Sequence, residues 1–421
     1  MVYPCGTEIG LEIYKAISKS AYYEIYGGSS SYDHGRFIFN KHIDNLPFIC
    51  DDSTRDNIIE FNEIIKKYAF DFIYPAMDGV VTVFSKYKDC LEPIVIAPEY
   101  DTSAITRSKK KTYQLFKDII PIPRLYESIE QIDQFPVFIK PDIGQGSVGT
   151  SKIDSKEELS SIKKNDSQLI MEYLPGKEYT IDCFTNQDGK LIFFQGRERK
   201  RTRNGISVNT ILCDRKEFAI FAEKINSTLR QKGGWFFQLK EDRNGKLKLL
   251  EISSRIAGAS AIQRCKGVNL PLLTVNIFNE ISVEDVIINN YYLELDRALN
   301  NCYKIDLSYD EIYVDYDDTL IIDGKVNTQL IKFIYQSINN NKKIVLLTKH
   351  DGNLEDELDK YRIRNIFDKI VHIERNDDKY RYVLHKHAIF IDDSYGERKN
   401  ISKKCNIPVF DTAMIECLME E

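Results

Sequence analysis

The sequence predicts a multidomain protein of α/β and α+β class, and three observations carry that prediction. Short apolar runs alternate with amphipathic helical stretches over residues 1–100, the pattern of a parallel sheet covered by helices. From 168 to 252 β-rich segments follow one another with turn signals between them, which implies a largely antiparallel sheet. After a lapse near residue 300 the strand–helix rhythm restarts, and at 421 residues the chain is too long for one ordinary core.

In chain order, AYYEIYG (21–27) and FDFIYPAMDG (70–79) read as strands on either side of the amphipathic helix RDNIIEFNEIIKKY. ITRSKKKTYQLFKDI (105–119) reads as one basic helix stopped by IPIPR, and QFPVFIKP (134–141) as a strand entering a glycine-rich loop. The strands QLIMEYL, EYTIDCFT, KLIFFQG, GWFFQLKED and KLKLLEIS follow, with NQDGK and DRNGK as turns. Past DRALNN come the strands EIYVDYDD, KKIVLLT, HAIFIDD and NIPVFD, alternating with helices such as NTQLIKFIYQSI and NLEDELDKYRI. Domains are expected at 1–100, 101–300 with a lid subdomain over about 120–185, and 301–421.

Composition narrows the function. Hydrophobic residues at 43% and charged residues at 29%, mixed along the chain, describe a globular protein. A net charge of -6 argues against a nucleic-acid partner despite the local basic run RERKRTR (197–203). No apolar run approaches the roughly 18 residues of a membrane helix, and MVYPCGTEIG lacks the plan of a secretory signal, so a cytoplasmic protein without a membrane partner is expected. Nine cysteines without CxxC or Cys/His spacing read as reduced thiols rather than a zinc site, with Cys183 and Cys265 as small core residues.

A nucleoside triphosphate needs cations for its phosphates, a glycine loop whose N–H groups close over them, and nearby metal-holding groups. These occur in order: Lys109, Lys140, the loop with Gly144, Gly146, Ser147 and Gly149, then Glu172 and Glu178, then Gln238 and Glu251 on two adjacent strands. This ordered set resembles the ATP-grasp superfamily over roughly residues 1–290, in particular relatives of the carbamoyl phosphate synthetase large subunit and the carboxylate–amine ligases. The resemblance takes in a preceding α/β domain with GTEIG and DHGRF. It implies that Lys109 and Lys140 contact the phosphates and base edge, that the loop covers the γ-phosphate, that Glu172 and the backbone of Leu174 meet adenine, and that Glu178 binds ribose. It further implies that Gln238 and Glu251 hold magnesium (or manganese), while Arg199, Arg203 and Arg255 face the carboxylate substrate and its acyl phosphate. Where the family shows Glu-x-Asn ahead of the arginine, this chain has Glu251-Ile252-Ser253-Ser254-Arg255. A serine hydroxyl is a weaker magnesium ligand than an amide carbonyl, so Ser253 puts the second metal in question.

Hydrolysing a phosphate ester requires nucleophile, acid and charge neutralisation together. YVDYDDTLIIDG (313–324) opens the last domain with Asp315 and Asp317 at a strand end, where ligands of open α/β sheets gather. Residues 309–415 resemble the haloacid dehalogenase (HAD) phosphatases: a Rossmannoid parallel sheet, here without room for a large cap, because about 30 residues separate Asp315 from Thr348. On that resemblance Asp315 is the nucleophile and Asp317 the general acid/base. The Asp317 main chain and Asp393, with Asp392 as second candidate, bind magnesium, and Thr348 and Lys379 hold phosphate oxygens, with Lys369 a rival for the lysine role.

The leading expectation is a bifunctional enzyme. An ATP-dependent ligase joins a small-molecule carboxylate to an amine through an acyl phosphate, and a magnesium-dependent phosphatase acts on a phosphorylated substrate or product. Two independent activities in one pathway, or a nucleotide sensor without ligase turnover, remain alternatives, and a homodimer is left open.

Overall fold

The computed structural model describes residues 1–420 except 145, 147, 163–166, 300–302 and 304. The chain forms two compact units, Met1–Asn300 and Asn301–Glu421. Among the described residues no helix is long and apolar enough to cross a membrane.

The first unit opens with five short parallel strands, β1 (Val2–Tyr3), β2 (Gly27–Gly28), β3 (His42–Ile43), β4 (Phe72–Pro75) and β5 (Ile94–Val95), in the order β3-β2-β1-β4-β5. Tyr3, Phe61 and Phe84 fill the layer between this sheet and its helices. The strand expected over 21–27 is pared down to Gly27–Gly28 because its neighbour β1 offers only two residues to pair with; upstream, Tyr22 is 90% exposed.

A small antiparallel sheet follows, built from β6 (Leu125–Tyr126), β7 (Val137–Pro141), β8 (Ser151–Ile153) and β9 (Gln168–Glu172) in the order β6-β9-β7-β8. The larger sheet is also antiparallel: β10 (Glu178–Thr185), β11 (Leu191–Arg203), β12 (Ile206–Cys213), β13 (Gly233–Glu241), β14 (Leu247–Ser253) and β15 (Glu294–Asp296), ordered β14-β13-β10-β11-β12-β15. The helix Lys216–Thr228 packs Phe218, Phe221 and Ile225 against Ile181, Trp235 and Phe237. Gly196 permits that contact, since a Cβ there would lie 2.2 Å from the Phe218 ring. Cys183 is buried in this core, but Cys265 is exposed, because it ends the short helix Ala261–Cys265 rather than facing inward.

The single basic helix expected over 105–119 is two helices, Tyr100–Arg107 and Lys109–Phe116. Ser108 breaks it: its backbone is extended, its hydroxyl caps the Lys111 N–H, and it donates to the Asp142 carboxylate at 2.9 Å. The break places Lys109 on the first turn of a new helix beside the glycine loop.

The second unit holds β16 (Glu311–Val314), the hairpin β17 (Ile321–Ile322) and β18 (Lys325–Val326), then β19 (Lys343–Thr348), β20 (Lys369–His372), β21 (Ala388–Ile391) and β22 (Val409–Phe410). Its main sheet is parallel in the order β20-β19-β16-β21-β22. Val314 pairs with Leu346 on one side and Ile391 on the other, so the carboxyl ends of three strands meet at one edge. Ile312, Leu346 and Ile389 seal the layer beneath.

Candidate functional sites

In the first unit a cavity of about 590 Å³ opens between the small sheet, the large sheet and the first α/β layer. Lys109, Lys140, Gly144, Gly146, Glu172, Leu174, Glu178, Arg199, Gln238, Glu251, Ser253 and Arg255 all line it. Strand geometry explains much of the convergence. Gln238 and Glu251 are direct cross-strand partners on β13 and β14, so their side chains share one face of the sheet. Lys140, on β7, reaches across to the Tyr113 hydroxyl at 2.6 Å and the Leu250 carbonyl at 3.2 Å. Its ammonium is buried, and burial, reinforced by Lys109, pulls its pKa down to about 7.

The lining cations are held by acids. Glu178 receives Arg199 and Lys240, each at 3.2 Å. Arg255 donates to Asp78 at 2.6 Å, and the Ser253 hydroxyl donates to the other Asp78 oxygen at 2.5 Å. Burial opposes the charge on Asp78, and Arg255, Ser253 and Arg107 outweigh it, leaving its carboxyl below the usual range. Buried polar donors remain open: among the described residues, Nε of Arg255 and NH1 of Arg197 find no hydrogen-bond partner, although Arg197 is tied to Asp182 at 2.9 Å. A cavity that gathers more cations than carboxylates and keeps open donors suits a polyanion.

Four expected residues stand differently. Arg203 is exposed at the tip of the β11–β12 hairpin and does not line the cavity. The register shifts between Arg199 and Thr202, which breaks the alternation that would have carried Arg203 to the face of Arg199. The chain then turns at Asn204 and Gly205, both at positive φ. Gly149, at φ +74°, also lies off the lining, and Ser147 falls outside the described residues. Ser253 shares the sheet face of Glu251 and lines the cavity, but its hydroxyl is committed to Asp78. Asp78, Arg107, Arg197 and Lys240 were not foreseen, although Arg107, just ahead of the lysines at 109–111, and Arg197, inside RERKRTR, stand in basic stretches.

At the strand-end edge of the second unit, the Asp315, Asp392 and Asp393 carboxylates lie within 4.8 Å of one another. Lys379, from the turn Lys379–Tyr382, enters this cluster and donates to Asp315 at 2.5 Å and Asp392 at 2.6 Å. Lys379 is only 3% exposed and joins the cluster, whereas Lys369 is exposed at the start of β20. Burial opposes the charge on Lys379, and the two aspartates outweigh it, so it stays protonated. Burial, followed by the charge of Asp315, pushes Asp392 up to about 6, and burial raises Asp315 against the pull of Lys379. One ammonium thus serves a carboxylate cluster that remains short of positive charge.

Thr348 ends β19 with its hydroxyl buried, facing Asp315 without reaching hydrogen-bond geometry. Thr319, which the sequence reading did not single out, donates to the Asp393 carboxylate at 3.1 Å and accepts from the Asp393 N–H at 2.9 Å. The Asp317 carboxylate stays outside the cluster and turns to His350, whose Nδ1 lies 2.9 and 3.0 Å from its two oxygens.

Residues 164–296 match the family model described as ATP-grasp in the biosynthetic pathway with Ter operon. The biotin carboxylase domain of Hydrogenobacter thermophilus 2-oxoglutarate carboxylase, solved with MgADP and bicarbonate, superposes with a TM-score of 0.56 at 13% identity, over 68% of this chain and 71% of that one. The first unit has an ATP-grasp fold. Staphylococcus aureus N5-carboxyaminoimidazole synthetase, complexed with ADP, gives the same TM-score of 0.56 at 17% identity, over 67% and 78% of the two chains. D-alanine–D-alanine ligase B of Clostridium perfringens is 27% identical over 177 residues, 36% of this chain and 56% of the relative. The chain thus spans little more than half the length of that curated relative. Within the ATP-grasp unit the matched stretch contains β10 to β15, and hence Glu178, Gln238, Glu251 and Arg255.

Proposed function

We propose that the ATP-grasp unit is an ATP-dependent carboxylate–amine ligase and that the second unit is a HAD-like phosphomonoesterase acting on a phosphorylated substrate or product. The observation that carries this reading is the presence, in one chain, of a cation-rich cavity and a carboxylate-rich strand-end cluster.

In the cavity, Lys109 and Lys140 would meet the phosphates of ATP while the 144–150 loop closes over them. Glu251 and Gln238 offer paired oxygens on one sheet face for a magnesium ion, which suits that ion's demand for oxygen ligands. The open donors of Arg255 and Arg197 would take the charge that spreads as the substrate carboxylate attacks the γ-phosphorus, and an amine would then displace phosphate from the acyl phosphate. Closure of the glycine loop over the site would keep water from that intermediate.

In the second unit, Asp315 would attack phosphorus and Asp317 would protonate the leaving oxygen; Asp315 would then be released as water cleaves the aspartyl phosphate. Lys379 and the Thr348 hydroxyl, which has no hydrogen-bond partner among the described residues, would hold phosphate oxygens. The clustering of Asp315, Asp392 and Asp393 around a single ammonium fits a divalent cation, which would supply the missing positive charge. Asp393, oriented by Thr319, and Asp315 would hold it, with Asp392 beside them.

The commitment of Ser253 to Asp78 favours a second reading, a nucleotide sensor that binds without turnover. One experiment separates the two. Asp315→Asn protein is incubated with ATP, magnesium and pools of carboxylates and amines, including phosphorylated ones, and the products are read by mass spectrometry. A new amide that retains a phosphate, which wild-type protein removes, is expected. Absence of carboxylate-dependent ADP would favour the sensor.

A further inference from the structure

His350 is a residue that the phosphatase resemblance left without a role, yet it is the residue bonded to the expected acid. It follows Thr348 by two positions, so it leaves the end of β19 alongside the end of β16 that carries Asp315 and Asp317. Its Nδ1 lies 2.9 and 3.0 Å from the two oxygens of Asp317. With a carboxylate as partner, Nδ1 is the protonated, donating nitrogen.

The two side chains differ in freedom. Asp317 is 52% exposed, whereas the His350 side chain is 14% exposed and packed. Its ring meets Tyr316 edge-on at 4.9 Å, and the Tyr316 hydroxyl donates to Glu357 at 3.3 Å. Its carbonyl is gripped by His372 Nε2 at 2.7 Å, and the turn at Gly352, at φ +139°, brings the chain so close that a Cβ there would sit 3.3 Å from its Nε2. A fixed donor thus faces a solvent-exposed acid.

We infer that His350 is a positioning residue that holds the Asp317 carboxylate on the leaving-group side of Asp315. This rests on the phosphatase reading of the second unit. Nδ1 lies nearly equidistant from the two oxygens, so its N–H can hold either one and leave the other to carry a proton. That other oxygen hands its proton to the ester oxygen as Asp315 Oδ bonds to phosphorus and the P–O ester bond breaks. When water attacks phosphorus and releases Asp315, the same oxygen takes up the water proton. An unheld aspartate at this exposure would spend most of its time in other rotamers, and the loss would be felt where proton delivery limits the reaction.

The leaving group is therefore the diagnostic. An alkyl phosphate such as glycerol 2-phosphate departs as a strongly basic alkoxide and needs the acid; para-nitrophenyl phosphate departs as a stable anion and needs it far less. Full-length wild type, His350→Ala, His350→Asn and Asp315→Asn are assayed on both esters with magnesium. The expected result for His350→Ala is a kcat lower by about 30-fold on the alkyl ester and by less than about 5-fold on the aryl ester, with KM little changed. Asparagine, whose amide N–H reaches the position of Nδ1–H, is expected to restore most of the alkyl activity. Equal losses on the two esters without recovery in His350→Asn would reduce His350 to a packing residue and overturn the inference, as would a full alkyl rate in His350→Ala. If wild type hydrolyses neither ester, or Asp315→Asn matches wild type, the phosphatase reading itself fails; Asp315-dependent hydrolysis with no leaving-group split sinks only the role of His350.

Discussion

The two sites solve opposite electrostatic problems. The ATP-grasp cavity assembles cations and borrows acids to hold them, Glu178 between Arg199 and Lys240 and Asp78 under Arg255. The strand-end site assembles acids and borrows one cation, Lys379. Each is left with an excess of its own sign, so the first suits an anion and the second a cation. Their construction differs as well. The cavity draws its lining from three sheets and the loops between them, so its geometry depends on how those layers pack. The second site hangs from the aligned ends of three parallel strands.

Four variants or conditions test this contrast. The largest effect is expected from Asp315→Asn, which should lower phosphomonoester hydrolysis by at least about 10³-fold while leaving carboxylate-dependent ADP release intact. A steady-state assay of both activities on one preparation checks it. Next, Glu251→Ala should cut ADP release by about 10²-fold, with hydrolysis of para-nitrophenyl phosphate preserved, because it removes an oxygen ligand from one site only.

The third concerns pH. Lys140 in the open cavity carries a pKa near 7, well below its ordinary value, so above pH 7 the bare protein has lost that proton. Anionic phosphates favour its return, so nucleotide binding should take up a proton and weaken as pH rises above about 7, by up to about tenfold per unit. Titration calorimetry in buffers of different ionisation heat reads the uptake, and Lys140→Met should abolish it. The same shift makes stability rise with pH between about 7 and the ordinary lysine range, where the unfolded chain still holds the proton. The smallest effect on turnover is expected from Gly196→Ala, which should cost about 1–3 kcal/mol by pushing on the Phe218 ring, read as an earlier thermal transition.

Much of the second site was legible because its residues follow a simple rule: a β-strand ends and a carboxylate, a hydroxyl or another carboxylate comes next, as at Asp315, Thr348 and Asp392. Lys379 came from a turn, and sequence could not choose it over Lys369; only burial between two aspartates does. His350 was silent because nothing in LTKH distinguishes a surface histidine from one facing Asp317. In the ATP-grasp unit the order Lys109, Lys140, glycine loop, Glu178, Gln238, Glu251 was readable, since strand alternation puts Gln238 and Glu251 on one face. Arg203 was misplaced because alternation was extended through an irregular stretch of β11 that a string of basic residues does not reveal. Asp78 was invisible for a different reason: it lies in the first α/β layer, about 175 residues from Ser253, its partner. The continuous helix read over 105–119 failed at Ser108, whose side chain was worth more as a cap and an Asp142 ligand than as a helical residue.

The place of β16 in the middle of its sheet has a thermal consequence. Its amides are bonded into ladders with β19 and β21 on both sides, so they are expected to open last in this unit and to exchange hydrogen most slowly. Asp315 is carried at the end of that slow segment, while the carboxylate of Asp317 is anchored through His350 on a loop. On the proposed phosphatase reading, warming short of global unfolding should then loosen Asp317, the proposed acid, before it disturbs Asp315, the proposed nucleophile. Hydrolysis of esters that need a proton would fade some degrees before hydrolysis of those that do not, so the temperature profile would depend on the leaving group.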